Sequence, residues 1–140
     1  IDNPILPKGL VPSYRKISEA VVWGLNQLGI HAQIRNSKSE IRNPKSQLCF
    51  FYPTEYEIVV AGKKIVGSAQ KRGRRALLQQ GSIFVRRTTD EAFFVLKRWH
   101  GNVDAVSVEE VLGRKIAFEE LSKALIEGFK ERLGIRFNEE

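Results

Sequence analysis

The 140-residue chain contains no methionine and one cysteine, Cys49. A single cysteine excludes an internal disulfide framework and a Cys-rich zinc site. Without a methionine there is no initiator at Ile1-Asp2-Asn3-Pro4, so either the chain was processed or it begins inside a longer reading frame. No apolar run approaches the roughly 18 to 20 residues of a spanning helix. The start also lacks the basic and apolar regions of a signal peptide, so a cytoplasmic, reducing location without membrane association is expected. His31 and His100 stand far apart, and no HxxxH or CxxC spacing accompanies them. A metal site is therefore not expected. Walker, Gly-x-Gly-x-x-Gly and Gly-x-Ser-x-Gly patterns are missing too, which removes the usual signatures of nucleotide-binding folds and serine hydrolases.

What is present is the balance of one ordinary globular domain, with 42% hydrophobic and 28% charged residues. The net charge of +7 is unevenly placed. Between Arg35 and Arg75 there are ten Lys or Arg against three Glu, whereas the rest of the chain carries 13 residues of each sign. A focused basic stretch attracts acidic partners such as nucleic acid, an anionic nucleotide or an acidic protein domain. The alternative is a solvated lysine-rich surface with no partner.

Pro4, Pro7 and Gly9 mark residues 1–12 as an extended lead-in. Tyr14, Ile17, Val21, Leu25 and Leu28 then fall on one face of a helix over about 13–28, with Ser13 as its cap and Gly29 as its stop. His31 to Arg35 reads as a short strand, Asn36 to Gln47 as a loop, and Leu48-Cys49-Phe50-Phe51 as a renewed apolar run. Ala61-Gly62 is placed to turn a hairpin, and a further strand over 76–85 is expected to break at Gly81-Ser82. Asp90 can cap a helix through Phe94 and Arg98, and Ser107 one through Leu112. Phe118, Leu121, Leu125, Phe129 and Leu133 mark a final amphipathic helix stopped by Gly134, with Ile135 to Phe137 as a last edge strand. The order predicts an α+β fold, a mixed or antiparallel sheet flanked by helices. Both long helices carry Ser-x-Ala-x-x-x-Gly, at Ser18, Ala20, Gly24 and at Ser122, Ala124, Gly128, a spacing of small residues that permits close packing.

Two places stand out chemically. Free cysteines commonly only pack, but Cys49 follows a basic loop ending in Lys45, and a positive setting favours the thiolate that attacks carbonyls. In Gly62-Lys63-Lys64-Ile65-Val66-Gly67-Ser68-Ala69-Gln70 a lysine precedes a run of small residues. Glycine inside a strand marks a bulge or a close backbone approach. With regular alternation, Lys64 and Val66 share one face while Ile65 and Gly67 share the other. A lysine over a glycine-lined groove can polarise a carbonyl or bind a phosphate, and an exposed hairpin lysine is the plainer alternative.

Three blocks carry a resemblance: Pro44-Lys45-Ser46-Gln47-Leu48-Cys49-Phe50, then Glu55-Tyr56-Glu57-Ile58-Val59-Val60-x-Gly62-x-Lys64-Ile65-Val66-Gly67-Ser68-Ala69-Gln70, then Leu78-Gln79-Gln80-Gly81-Ser82-Ile83. In this order they resemble the biotin/lipoate ligase and transferase superfamily, and within it the cysteine-dependent octanoyltransferases of lipoate assembly. The likeness runs from about Leu6 to Phe137, with the Lys-to-Gln block its most specific part.

The resemblance implies that Cys49 and Lys64 are the catalytic pair. An octanoyl group would pass from octanoyl acyl-carrier protein to Cys49 as a thioester, then to a lysine of a lipoyl-type acceptor domain such as a glycine cleavage H protein or a dehydrogenase E2. Lys64, rather than Lys63, would hold the acyl carbonyl or stabilise charge on it. Gly67, Ser68, Ala69, Gln70, Gly81 and Ser82 would line the substrate site. No cofactor is implied; ATP and magnesium would enter only in an ATP-dependent lipoate-protein ligase, the rival within the superfamily, which needs no cysteine. A noncatalytic basic nucleic-acid-binding fragment is the rival of another class, although the contiguous Phe50, Phe51 and Tyr52 do not form spaced stacking platforms. The superfamily's Arg-Arg and glycine-rich signature is not found before Ser13. Residues 1–140 are accordingly expected to be the C-terminal portion of one catalytic domain, completed by a missing N-terminal segment or subunit and poorly soluble alone.

Overall fold

Two long helices, a short one and a four-stranded sheet make up residues 4–35, 56–87 and 105–138, the parts that the computed structural model describes. The first helix, α1 (Leu10–Gln27), begins after Gly9, three residues earlier than the sequence predicts. Pro12 lies in its first turn, where a missing N–H removes no helical hydrogen bond. Residues 10–12 are therefore helical, not part of an extended lead-in. Ser13 is no cap; its hydroxyl donates back to the Gly9 carbonyl at 2.7 Å.

The strands β1 (Gln33–Ile34), β2 (Ile58–Val60), β3 (Lys63–Arg72) and β4 (Leu77–Ile83) form one antiparallel sheet in that order. Ala61 and Gly62 turn β2 into β3 with φ of 48° and 77°, the left-handed pair of a tight hairpin. β4 runs unbroken through Gly81 and Ser82. Glycine is needed there for proximity: a Cβ on Gly81 would stand 3.0 Å from the Ser68 Cβ and 3.1 Å from the Gly67 carbonyl oxygen.

The second helix, α2 (Val108–Leu112), has the capping box expected at Ser107: its side chain accepts from the Glu110 amide while Glu110 accepts from the Ser107 amide. The third, α3 (Phe118–Leu133), ends as expected at Gly134, with φ of 65°. Residues 135–137 form no strand. The side chains of Ile135 and Phe137 instead line an apolar groove with Leu125, Ile126 and Phe129 of α3.

α1 packs on α3 and on β1 and β3. The repeated small residues are what bring the helices together. A Cβ on Gly24 would lie 2.6 Å from the Ala124 carbonyl oxygen, and one on Gly128 would overlap the Ala20 carbonyl. Below this contact Leu25, Ile30, Ile58, Ile65, Val66, Val108, Ile116 and Leu121 form one core. The architecture is α+β. No helix among the described residues is long and apolar enough to cross a membrane. The expected loop over 36–47, the apolar run over 48–51 and the helix from Asp90 through Arg98 lie outside the described residues.

Glu109 joins α2 to the segments on either side: Arg86 donates to it at 2.7 and 2.9 Å, and the Ile116 amide at 3.0 Å. These bonds, the Arg86 bond first and then the Ile116 amide, lower its carboxyl from 4.5 to about 2. A lowered folded-state value adds stability above the unfolded value that is lost as pH falls toward the folded one. Unfolding midpoints should therefore decline from about pH 4.5 to about pH 2, and Glu109→Gln should flatten that decline.

Helix packing gives a test of opposite sign to ordinary propensity. Gly→Ala in an open helix stabilises by about 0.5–1 kcal/mol. Gly128→Ala should instead destabilise by about 1–3 kcal/mol in urea unfolding, because the added methyl has no room. A stabilised variant would show that the two helices do not meet there.

Candidate functional site

The site begins with an irregularity in β3. Val59 pairs with Lys64 but Ile58 pairs with Val66, so Ile65 has no partner on β2 and forms a bulge. Partners across a ladder share a face, while Val59 and Ile58, being consecutive, face opposite ways. Lys64 and Val66 therefore lie on opposite faces, which corrects the regular alternation assumed from sequence. Val66 joins the core beneath the helices, and Lys64 turns to the other side with Val59.

On that side Lys64 is fully buried, and its Nζ donates to Glu57 Oε1 at 2.7 Å. Glu57 itself is 4% exposed and follows Tyr56, whose φ of 68° is rare outside glycine. The backbone of Lys64 is held as well: Val106 donates to its carbonyl at 2.9 Å. Neighbouring Lys63 is exposed. The sequence distinguishes these two lysines only through the resemblance, whereas their surroundings differ completely.

A cavity of about 350 Å³ opens on the same face, lined by Glu57, Gly67, Ser68, Ala69, Gln80, Gly81 and Ser82. Five of the six residues expected to line a substrate site, Gly67, Ser68, Ala69, Gly81 and Ser82, thus come together around it. The register explains this, since Gly67 pairs with Ser82, Ser68 with Gly81 and Ala69 with Gln80. Lys64 reaches the cavity through Glu57, which is on its wall. Gln70 is turned away; its Oε1 lies 3.0 Å from Ser13 Oγ and its Nε2 donates to Gln79 Oε1 at 2.8 Å on the α1 side. Cys49 lies outside the described residues.

Three residues at the site, Glu57, Gln80 and Tyr14, had no role assigned from the sequence. Glu57 was inside a quoted block, and the tight hairpin places it diagonally across from Lys64, a signal available from register counting alone. Tyr14 on α1 had been read only as a core position. Its hydroxyl lies 2.7 Å from Ser68 Oγ and 3.1 Å from the Ser68 carbonyl, fixing the cavity wall from behind. Burial raises the Tyr14 phenol above its ordinary value, the Ser68 bond opposing the rise and the Glu57 charge adding to it. The phenol therefore stays protonated and able to donate at neutral pH.

Chemically the arrangement offers a small-residue cavity with a buried carboxylate on its wall and a cation paired behind it. Such a pair is expensive to break and stabilises little as a pair. Lys64→Met alone should destabilise the protein by about 3–5 kcal/mol in urea unfolding, since it leaves the Glu57 charge buried without its ammonium. Adding Glu57→Leu should recover most of that loss. A single Lys64→Met variant as stable as the parent would show that the pair is not desolvated.

Comparison with known proteins supplies an independent line. Residues 2–130 match the lipoyl protein ligase A/B catalytic domain. The chain is 40% identical to octanoyltransferase LipM of Kyrpidia tusciae, over 95% of this chain and 54% of that protein. It is 34% identical to octanoyltransferase LipM of Bacillus subtilis, over 96% of this chain and 54% of that one. The chain spans about half the length of the curated relatives it matches. Among solved structures it is similar to a lipoate-protein ligase A bound with ATP, with a TM-score of 0.71 and 23% identity over 96% of this chain and 50% of that one, a likeness of fold.

Proposed function

The chain belongs to the lipoyl protein ligase A/B catalytic domain family, and from that membership we propose that it supplies the acyl-binding half of an octanoyltransferase acting in protein lipoylation. The observation that carries this reading is the cavity itself: the buried Lys64 and Glu57 pair adjoins a groove walled by Gly67, Ser68, Ala69, Gly81 and Ser82, small enough to leave room for a linear acyl chain. The octanoyltransferase relatives, at 34–40% identity, support transfer rather than ligation.

In the proposed reaction the Cys49 thiolate attacks the thioester carbonyl of octanoyl acyl-carrier protein. The carrier leaves as its thiolate, which takes up the proton later released by the acceptor amine, and the octanoyl group remains on Cys49. A deprotonated lysine ε-amine of a lipoyl-type acceptor then attacks that second thioester, forming an amide and releasing the Cys49 thiolate. Lys64 stabilises the negative charge that develops on the carbonyl oxygen in each step, the work of a fixed cation in a water-poor site. Glu57, accepting from the Lys64 Nζ at 2.7 Å, positions Lys64. Gly67 and Gly81 let the acyl chain lie against backbone.

The test uses the full-length protein with octanoyl acyl-carrier protein. It should gain one octanoyl mass without ATP, removable by hydroxylamine, and Cys49→Ala should lose both the adduct and transfer to an acceptor domain. ATP-dependent modification of the acceptor from free octanoate or lipoate by the Cys49→Ala protein would reject the transferase and establish a ligase.

A further inference from the structure

The end of the β3 and β4 hairpin is the most strongly charged surface among the described residues. Lys71, Arg72, Arg74 and Arg75 are four cations in five positions, with no acidic residue between Glu57 and Asp90. Arg72 is turned inward, donating to the Gly9 carbonyl at 2.9 Å and to Ser13 Oγ at 2.6 Å. Lys71, Arg74 and Arg75 are exposed, and none of them has a carboxylate partner among the described residues. Arg86, Arg87 and Arg114, by contrast, are paired with Glu109, Glu110 and Glu120.

The register fixes which way this surface looks. Lys71 pairs with Leu78, two positions beyond the Ala69 and Gln80 pair, so Lys71 and Leu78 share the face of the cavity. Leu78 is 63% exposed, an apolar side chain set among cations. At ~3.3 Å per residue the Lys71 and Leu78 pair stands about 7 Å from the cavity rim and about 20 Å from Lys64. An apolar centre with a charged rim is the composition of a protein contact, whereas a nucleic-acid surface would present cations with aromatic platforms. The separation decides which protein. An acceptor lysine has only four methylenes to reach the site, so its domain would have to sit nearer. A donor that carries its acyl thioester on a long flexible arm can dock at the hairpin and still deliver the acyl group.

We propose that the hairpin end carrying Lys71 and Leu78 on the cavity face, with the exposed Arg74 and Arg75 of its turn, is the docking surface for an acidic acyl-carrier protein that threads its acyl arm along the sheet into the cavity. This rests on the transferase reading above and adds to it the place where the donor binds. Charge complementarity on this face governs encounter, and Leu78 anchors the contact.

The experiment measures binding of fluorescently labelled octanoyl acyl-carrier protein to the full-length protein, alongside transfer from the carrier and from octanoyl-pantetheine, a donor with the arm but no carrier. The combined variant Lys71→Glu, Arg74→Glu, Arg75→Glu should weaken carrier binding at least tenfold at low salt and lose most of its salt dependence. Leu78→Ser should weaken it several-fold at all salt concentrations. Both variants should use octanoyl-pantetheine as the parent does, which shows that they fold and keep the cavity. Parental carrier binding by the charge-reversed protein overturns the docking surface and leaves the transferase standing. An equal loss with both donors also overturns it, by placing the hairpin in the catalytic machinery, and so does tighter, hairpin-dependent binding of a short single-stranded RNA. If the carrier binds through the hairpin but acylation requires ATP and free acid, the transferase reading fails while the surface stands.

Discussion

Ile65 has no partner on β2, and the two faces of β3 are divided by that one extra residue. Before it, Lys64 faces the cavity side; after it, Val66, Ser68 and Gln70 face α1, as their contacts with the core, Tyr14 and Ser13 show. Without the bulge, either Lys64 would enter the apolar layer under the helices or Val66 would leave it. The first would bury an ammonium among Leu25, Ile30 and Leu121, and the second would expose a core residue, so the bulge reconciles one strand with two environments. It also explains why Ile65 and Val66, adjacent in sequence, both belong to the core.

Sequence reasoning located the elements better than the faces. The helix over Phe118–Leu133, the Ser107 cap and the Ala61 and Gly62 turn were legible because each depends on a few adjacent residues: apolar spacing, a Ser-x-x-Glu box, a left-handed pair. The side on which Lys64 lies was not legible, because a bulge depends on the pairing between two strands and leaves no local mark. Gly81 was misread as a break for a related reason. Its absent side chain serves the approach of Ser68 on the neighbouring strand, which a sequence shows only once the register is known. The start of α1 was missed because Pro4, Pro7 and Gly9 suggest an extended lead-in through residue 12, whereas the helix begins right after Gly9 and takes Pro12 into its first turn at no cost in hydrogen bonds. Ile135 to Phe137 have the composition of a strand but pair with none, and Ile135 and Phe137 line a groove beside α3.

The two faces differ in how tightly they are held. On the α1 side Tyr14 bonds Ser68, Ser13 bonds Gln70, and Arg72 bonds the Gly9 carbonyl, so the first turns of the helix tie down the far half of β3. The glycine contact between α1 and α3 then transmits that support to the whole helical layer. On the other side Gly67, Ala69, Gly81 and Ser82 present little beyond backbone. A wall of small residues is firm only if something behind it is, and here the polar bonds from α1 supply the firmness without placing any bulk in the cavity.

The Lys64 and Glu57 pair is better explained by chemistry than by stability. Transferring two charges out of water offsets most of what their attraction returns, and an apolar pair of similar volume would serve a core as well or better. The pair nonetheless sits where Val59 is its apolar neighbour and where a Val or Leu could have continued the strand's burial. Its position is also strained at both ends of β2, with left-handed Tyr56 before Glu57 and left-handed Ala61 in the turn before Lys64. Strain and desolvation together oppose folding by an amount that a purely structural role does not require. In the proposed transfer, a cation fixed beside an acyl-binding cavity has a use for its burial, which strengthens its field at a developing oxyanion.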